Sequence, residues 1–255
     1  MTQRRAFSFD DTLSTRVRLL APAAFAAALL LPNHSPAHAQ DGEGAEALLE
    51  QAATTMAELE SFAFHLTTID GETMFVEGIT LREVTGAVQR PDRFTATAEF
   101  DLLVATIEIT IVSRDGRLWF TNPFGDGFEE IDISEFGAFD PTVVINPDRL
   151  LLPALSSVVD PTIVGLETLE DGTVTTRIDG TVDLGAVAGL DGSPTAEENG
   201  ISFPESLPFS VWIDADSIVR RIQIVGPILP EEEPGIIRRV DLLAFNEPVD
   251  IPLPS

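Results

Sequence analysis

The sequence predicts an α+β fold: one domain of many antiparallel strands with two or three helices. Three observations carry that prediction. Period-2 alternation of apolar and polar residues recurs along the chain, turn residues interrupt it at short intervals, and helical spacing appears in two places. With 255 residues, 44% of them hydrophobic, the chain can bury a large core.

Residues 1–39 read as a secretory signal peptide. Arg16 and Arg18 precede LLAPAAFAAALLL, the 13 residues from Leu19 to Leu31, and Ala37-His38-Ala39 sets small residues before a cut between Ala39 and Gln40. That apolar run is short for a membrane span and contains Pro22. Cleavage is therefore the expectation, and retention as an N-terminal anchor is the alternative. On the cleaved reading the protein is secreted or extracytoplasmic, in the cell envelope.

Residues 40–46 form a flexible, polar lead-in, and 47–255 form the domain. Leu48, Leu49, Ala52, Met56 and Leu59 recur at helical spacing. SFAFHLTTI (61–69) and ETMFVEGITLREVTGAVQRP (72–91) then read as strands, the second long enough to need a bend near Gly78 or Gly86. Residues 94–111 give the cleanest hairpin, and SRDGRLWF adds a turn at Asp115-Gly116. In INPDRLLLPALSSVVD, Asn146 suits a helix N-cap and Pro147 the first helical position, while Pro153 shortens or kinks the helix. Strand signals return at 173–183, in PFSVWIDADSIVRRIQI (208–224) and at 235–246; residues 189–206 read as a polar loop.

Charge and composition exclude several functions. The segment to Ala39 holds four Arg and two Asp, so the remainder carries 11 basic and 40 acidic residues, a net −29. Such a surface repels nucleic-acid backbones and anionic headgroups. Cysteine is absent, and beyond residue 39 His65 is the one histidine. Thiol chemistry, zinc-thiolate sites and a Ser-His nucleophile therefore have no material, and His65 reads as a partly buried strand residue. The acidic stretch 125–140 lacks the spacing of a calcium loop and reads as a solvated turn. No metal, cofactor or catalytic residue is expected, although 40 acids leave a carboxylate-based hydrolase open as a third reading.

The alternation assigns one apolar face to the sheet. On the 94–111 hairpin it holds Phe94, Ala96, Ala98, Phe100, Leu103, Ala105, Ile107, Ile109 and Ile111. From neighbouring strands come Val174, Ile178, Val211 and Ile213. The alanines among these bulky residues fit a lined cavity. They fit equally a place where another element approaches closely.

The order of segments resembles the LppX/LprA/LprF/LprG lipoprotein family, lipid carriers with a LolA/LolB-like fold. The matching pieces are MAELESFAFHLT, EGITLREVTGAVQRPDRFTATAEF, VSRDGRLWF, the stretch from INPDRLLLPALSSVV to TVTTRIDGTVD, PFSVWIDADSIVRRIQI and FNEPVDIPLP, in order. The resemblance implies a curved antiparallel half-barrel sheet wrapped around helices, with a hydrophobic cavity lined by the residues above. It implies a non-enzymatic carrier of an acylated lipid or glycolipid across the envelope, with a membrane transporter as a further partner; a monomer is expected. A departure is the missing lipobox cysteine. The competing reading is an envelope sensor or regulatory interaction domain on the same fold.

Overall fold

Alternation along each strand becomes, in the computed structural model, two faces of one sheet. The structure describes residues 37–76, 78–102, 104–123, 125, 127–131, 147–183, 206–228 and 232–251. The signal-peptide body, Leu103, Asn146, the acidic stretch from 132 and the loop 189–205 lie outside the described residues.

Helix α1 spans Ala37–Glu58 and α2 spans Pro147–Ser156. The strands are β1 (Ser61–Asp70), β2 (Thr73–Val76), β3 (Ile79–Gln89), β4 (Arg93–Leu102), β5 (Ala105–Arg114) and β6 (Arg117–Thr121). They continue with β7 (Phe128–Ile131), β8 (Val159–Thr168), β9 (Val174–Val182), β10 (Leu207–Asp214), β11 (Val219–Val225) and β12 (Ile237–Leu243). The sheet runs β7-β6-β5-β4-β3-β1-β12-β11-β10-β9-β8, with β2 pairing β3 beside the end of β1, and it is open: β7 and β8 are its edges. All its described pairings are antiparallel. Residues 36–255 form one compact unit.

Register aligns the apolar side chains into continuous rows. One row crosses nine strands as Ile163, Ile178, Val211, Ile222, Val240, Leu66, Val84, Ala98 and Ile109. This face looks toward the helices. On α1 the stripe Ala45, Leu49, Ala52 and Met56 is buried at the spacing of one helix face, and Leu151, Ala154 and Leu155 of α2 join the same core. The C-terminal end of α1 is tied down by Arg90, whose Nη1 donates to the carbonyls of Met56 (2.5 Å) and Leu59 (2.6 Å).

Turn chemistry follows the sequence. Asp115 (φ 54°) and Gly116 (φ 73°) both take left-handed backbone, as a tight hairpin with right-handed twist requires. After β10, Asp214 Oδ1 accepts from the backbone N–H of Asp216 (2.9 Å) and Ile218 (3.0 Å), and Oδ2 accepts from Arg220 Nε (2.6 Å). The bend in 72–91 falls at Gly78 (φ 80°), which separates β2 from β3.

Three expectations change. Helix α1 begins at Ala37 and so takes in Ala39, Gln40 and the residues read as a lead-in. β7 arises in the stretch read as a solvated turn, with Glu130 paired to Arg117 and Glu129 accepting from Asn122 Nδ2 at 2.7 Å. β8 was not foreseen because its alternation is broken: Asp160 (φ 51°) and Gly165 (φ 148°) sit at register shifts, and Pro161 is tolerated on an edge strand.

Candidate ligand site

The helix-facing surface is filled at one place and half open at another. Ile178, Val182, Val211, Ile213 and Val219 have no exposed surface, and Phe62, Phe64 and Phe94 join them at 2% or less. Leu66, Ile79, Leu81, Ile107, Ile109, Ile111, Ile224 and Val240 pack against that core but remain partly exposed. The half-open set comes from β1, β3, β5, β11 and β12, and its members are neighbours by register: Leu66 faces Val84 and Val240, Leu81 faces Phe100, and Phe100 faces Ile107.

Of the sequence-assigned residues, Phe94, Ala96, Ala98, Phe100, Ile178, Val211 and Ile213 are buried together, with Ile107, Ile109 and Ile111 half-buried against them. Ala105 and Val174 share their strands' alternation but stand exposed. Ala105 is the first residue of β5 and Val174 the first of β9, so each lies past the end of the covered core. Alternation assigns a face but not how far along the strand that face is covered. Leu66, Ile79 and Leu81 were not assigned, though HLTTI and GITLREV carried the same signal.

Gly86, on the same face, is small for a local reason. An added Cβ at Gly86 would come within 2.4 Å of the Thr95 carbonyl and 2.6 Å of the Phe64 ring. Gly86 faces Ala96 and Phe64 across its two strand pairings. Phe64 also stacks on Phe94, centroids 6.1 Å apart and rings 5° from parallel. Gly86 thus leaves space that the Phe64 ring occupies, an aromatic side chain covering a strand glycine.

A groove of about 620 Å³ lies between the helices. Leu49, Ala53, Ala57, Leu152, Leu155 and Val158 supply its apolar wall, and Glu46, Glu50, Thr54 and Ser156 its polar edge. Its size is within the range of small-molecule sites, roughly 300–1,000 Å³.

The outer face of β8–β12 is laced with charge. Trp212, on the side of β10 opposite Val211 and Ile213, is 5% exposed: Arg177 and Arg221 lie over its ring at 5.1 and 6.0 Å, and its Nε1 donates to Glu167 Oε2 at 2.6 Å. Arg221 Nη2 donates to Glu170 at 2.5 Å, and this bond holds the Glu170 carboxyl below its ordinary value. Hydrogen bonding to Asp179 holds Arg177 above its ordinary value. His65 Nε2 is 2.7 Å from Glu83 Oε2 on the same outer side.

Residues 44–251 match the model of the LppX_LprAFG lipoprotein family. The chain belongs to this family. Among its relatives, the lipoarabinomannan carrier protein LprG of Mycolicibacterium smegmatis is 27% identical over 208 residues, covering 78% of this chain and 80% of that protein. LprG of Mycobacterium tuberculosis is 28% identical over 208 residues, covering 78% and 79%. The fold matches the crystal structures of LprF from Mycobacterium bovis (TM-score 0.57, 18% identity, 83% of this chain and 97% of that one) and of LppX from Mycobacterium tuberculosis (0.54, 20%, 82% and 99%). Open antiparallel sheet and few helices are thus the architecture of the LppX_LprAFG family. No described helix of this member is long and apolar enough to cross a membrane.

Proposed function

We propose that the mature chain is an exported, non-enzymatic carrier that holds an acylated lipid, or another hydrophobic ligand, against the helix-facing surface of its sheet. One observation carries the reading: partly buried Leu66, Leu81, Ile107, Ile109, Ile111 and Val240 form an apolar surface continuous with the buried core. Left in water, such a surface is costly; under acyl chains it becomes interior. Each buried CH₂ contributes about 0.8 kcal/mol, so a chain of about 16 carbons represents on the order of 12 kcal/mol. Pocket and bilayer are then alike to the chain, and loading and release stay near balance. The carrier names of the LprG relatives support the same reading. Export follows from the leader, with a membrane transporter as a partner in loading.

The test is to purify the protein from its host, measure its intact mass, extract it with organic solvent and analyse the extract by mass spectrometry. Stoichiometric acyl lipid and a chain beginning at Gln40 are the expected results. A protein recovered without lipid, and unable to take it up from vesicles, would overturn the carrier reading in favour of an interaction domain.

A further inference from the structure

Arg238 sets a charge on the surface just described. Its register partners are Ile224 on β11 and Thr68 on β1, so alternation along β12 turns it to the same side as Val240 and Leu242. It is 7% exposed. Its guanidinium is held on three sides: Nη2 donates to Glu232 Oε1, Nη1 to the Gly226 carbonyl (3.2 Å) and Nε to Thr73 Oγ1 (3.0 Å). Thr73 Oγ1 is in turn 2.8 Å from Thr68 Oγ1. The Glu232 side chain has no exposed surface, and its Oε2 accepts from the Ile228 N–H at 2.8 Å.

A buried ion pair adds little to stability, because removing both charges from water cancels most of their attraction. Apolar side chains would serve the fold as well, which directs attention to what the pair does. Its position is informative. Thr73 faces Leu81 across β2–β3, and Val240, two residues along from Arg238, faces Leu66. The cation therefore stands where the half-exposed apolar surface meets the β11–β12 connection that carries Glu232.

We propose that Arg238 anchors the anionic headgroup of the carried amphiphile, a phosphate or carboxylate, and that Glu232 holds the headgroup's place while the protein is empty. This deepens, and rests on, the carrier reading above. An entering oxyanion takes the Nη2 donor from Glu232, and the guanidinium fork suits phosphate and carboxylate alike. One anion replaces another, so neither state buries an unpaired charge. A free oxyanion has no chains to bury and faces a tethered competitor at high effective concentration, so it does not displace Glu232.

The experiment titrates the delipidated protein with phosphatidic acid and with diacylglycerol of the same acyl chains, comparing wild type, E232Q and R238Q. Wild type is expected to bind phosphatidic acid about tenfold more tightly than diacylglycerol, the worth of one charge-assisted hydrogen bond. E232Q, which keeps shape but removes the competing charge, tightens phosphatidic acid by about tenfold again and leaves diacylglycerol unchanged. R238Q binds both lipids equally. Equal wild-type affinity for the two lipids, unmoved by E232Q, would overturn the anchor and leave the carrier standing. Binding of neither lipid overturns the carrier reading and the anchor with it. Displacement of phosphatidic acid by inorganic phosphate would overturn the lipid as the source of the oxyanion. Should R238Q not fold, the wild-type and E232Q titrations decide the matter.

Discussion

On β9–β11, the helix-facing Ile178, Val211, Ile213 and Val219 have no exposed surface; on β3 and β5, the equivalent Leu81, Ile107, Ile109 and Ile111 remain partly exposed. Both wings have the same alternation and the same pairing, so neither hydrophobicity nor hydrogen bonding distinguishes them. Cover does. Helix α1 packs against β8, and Met56 Sδ lies 3.4 Å from the Val219 N–H at the foot of β11. The outer faces differ as well. Around Trp212 the carboxylates meet Arg177, Arg221 and Arg239, whereas Glu83, Glu99 and Glu108 stand side by side across β3, β4 and β5, with His65 beside Glu83 and Arg82 4.0 Å from Glu99. The surface at Ile178, Val211, Ile213 and Val219 is filled. That at Leu81, Ile107, Ile109 and Ile111, with Ile224 of β11 and Val240 of β12, stays partly exposed.

The contrast is broken most directly by matched truncations. Phe209→Ala, at a site 2% exposed, is expected to cost about 3–5 kcal/mol in denaturant unfolding. Ile109→Ala, half-buried on β5, is expected to cost about 1 kcal/mol. Equal losses would mean that the wings are equally packed. Next in size, Gly86→Ala forces the Thr95 carbonyl and Phe64 ring apart and is expected to cost about 1–3 kcal/mol by the same measurement. An unchanged midpoint would show that Phe64 does not lie across the glycine.

The smallest effects concern the outer faces and have opposite signs. Glu108→Gln relieves a directly opposed pair with Glu99 and is expected to raise stability at neutral pH by roughly 0.5 kcal/mol. Glu170→Gln is expected to lower it slightly, since Arg221 favours the ionised form but the pair is exposed. Because the folded-state value of Glu170 is depressed, its contribution is present above the unfolded value and lost as pH falls through the folded one. Wild type and Glu170→Gln should therefore converge in melting temperature on acidification. A constant difference would assign the effect to something other than this charge.

Strong local signals were legible in the sequence, and signals that depend on a neighbour were not. The 94–111 hairpin, the Asp115-Gly116 turn and Pro147 at the first turn of α2 each follow from a residue and its adjacent ones. β8 did not, because two bulges interrupt its period, and the tertiary pairing with β9 keeps it a strand. For the candidate site, alternation placed the assigned residues on the helix-facing side, but Ala105 and Val174 lie past its covered part, and the Phe64 ring that fills the space at Gly86 sits on another strand. The burial of Trp212 on the outer face was not legible, because the arginines over it come from β9 and β11.

The first and last strands of the sheet, β1 and β12, pair with each other, Leu66 opposite Val240, and through them the two wings join. The seam at the middle of the sheet therefore closes only when residues 237–243 have arrived. A chain that emerges from its N-terminus leaves that seam unsewn until its last strand is available, and the two wings cannot join before then.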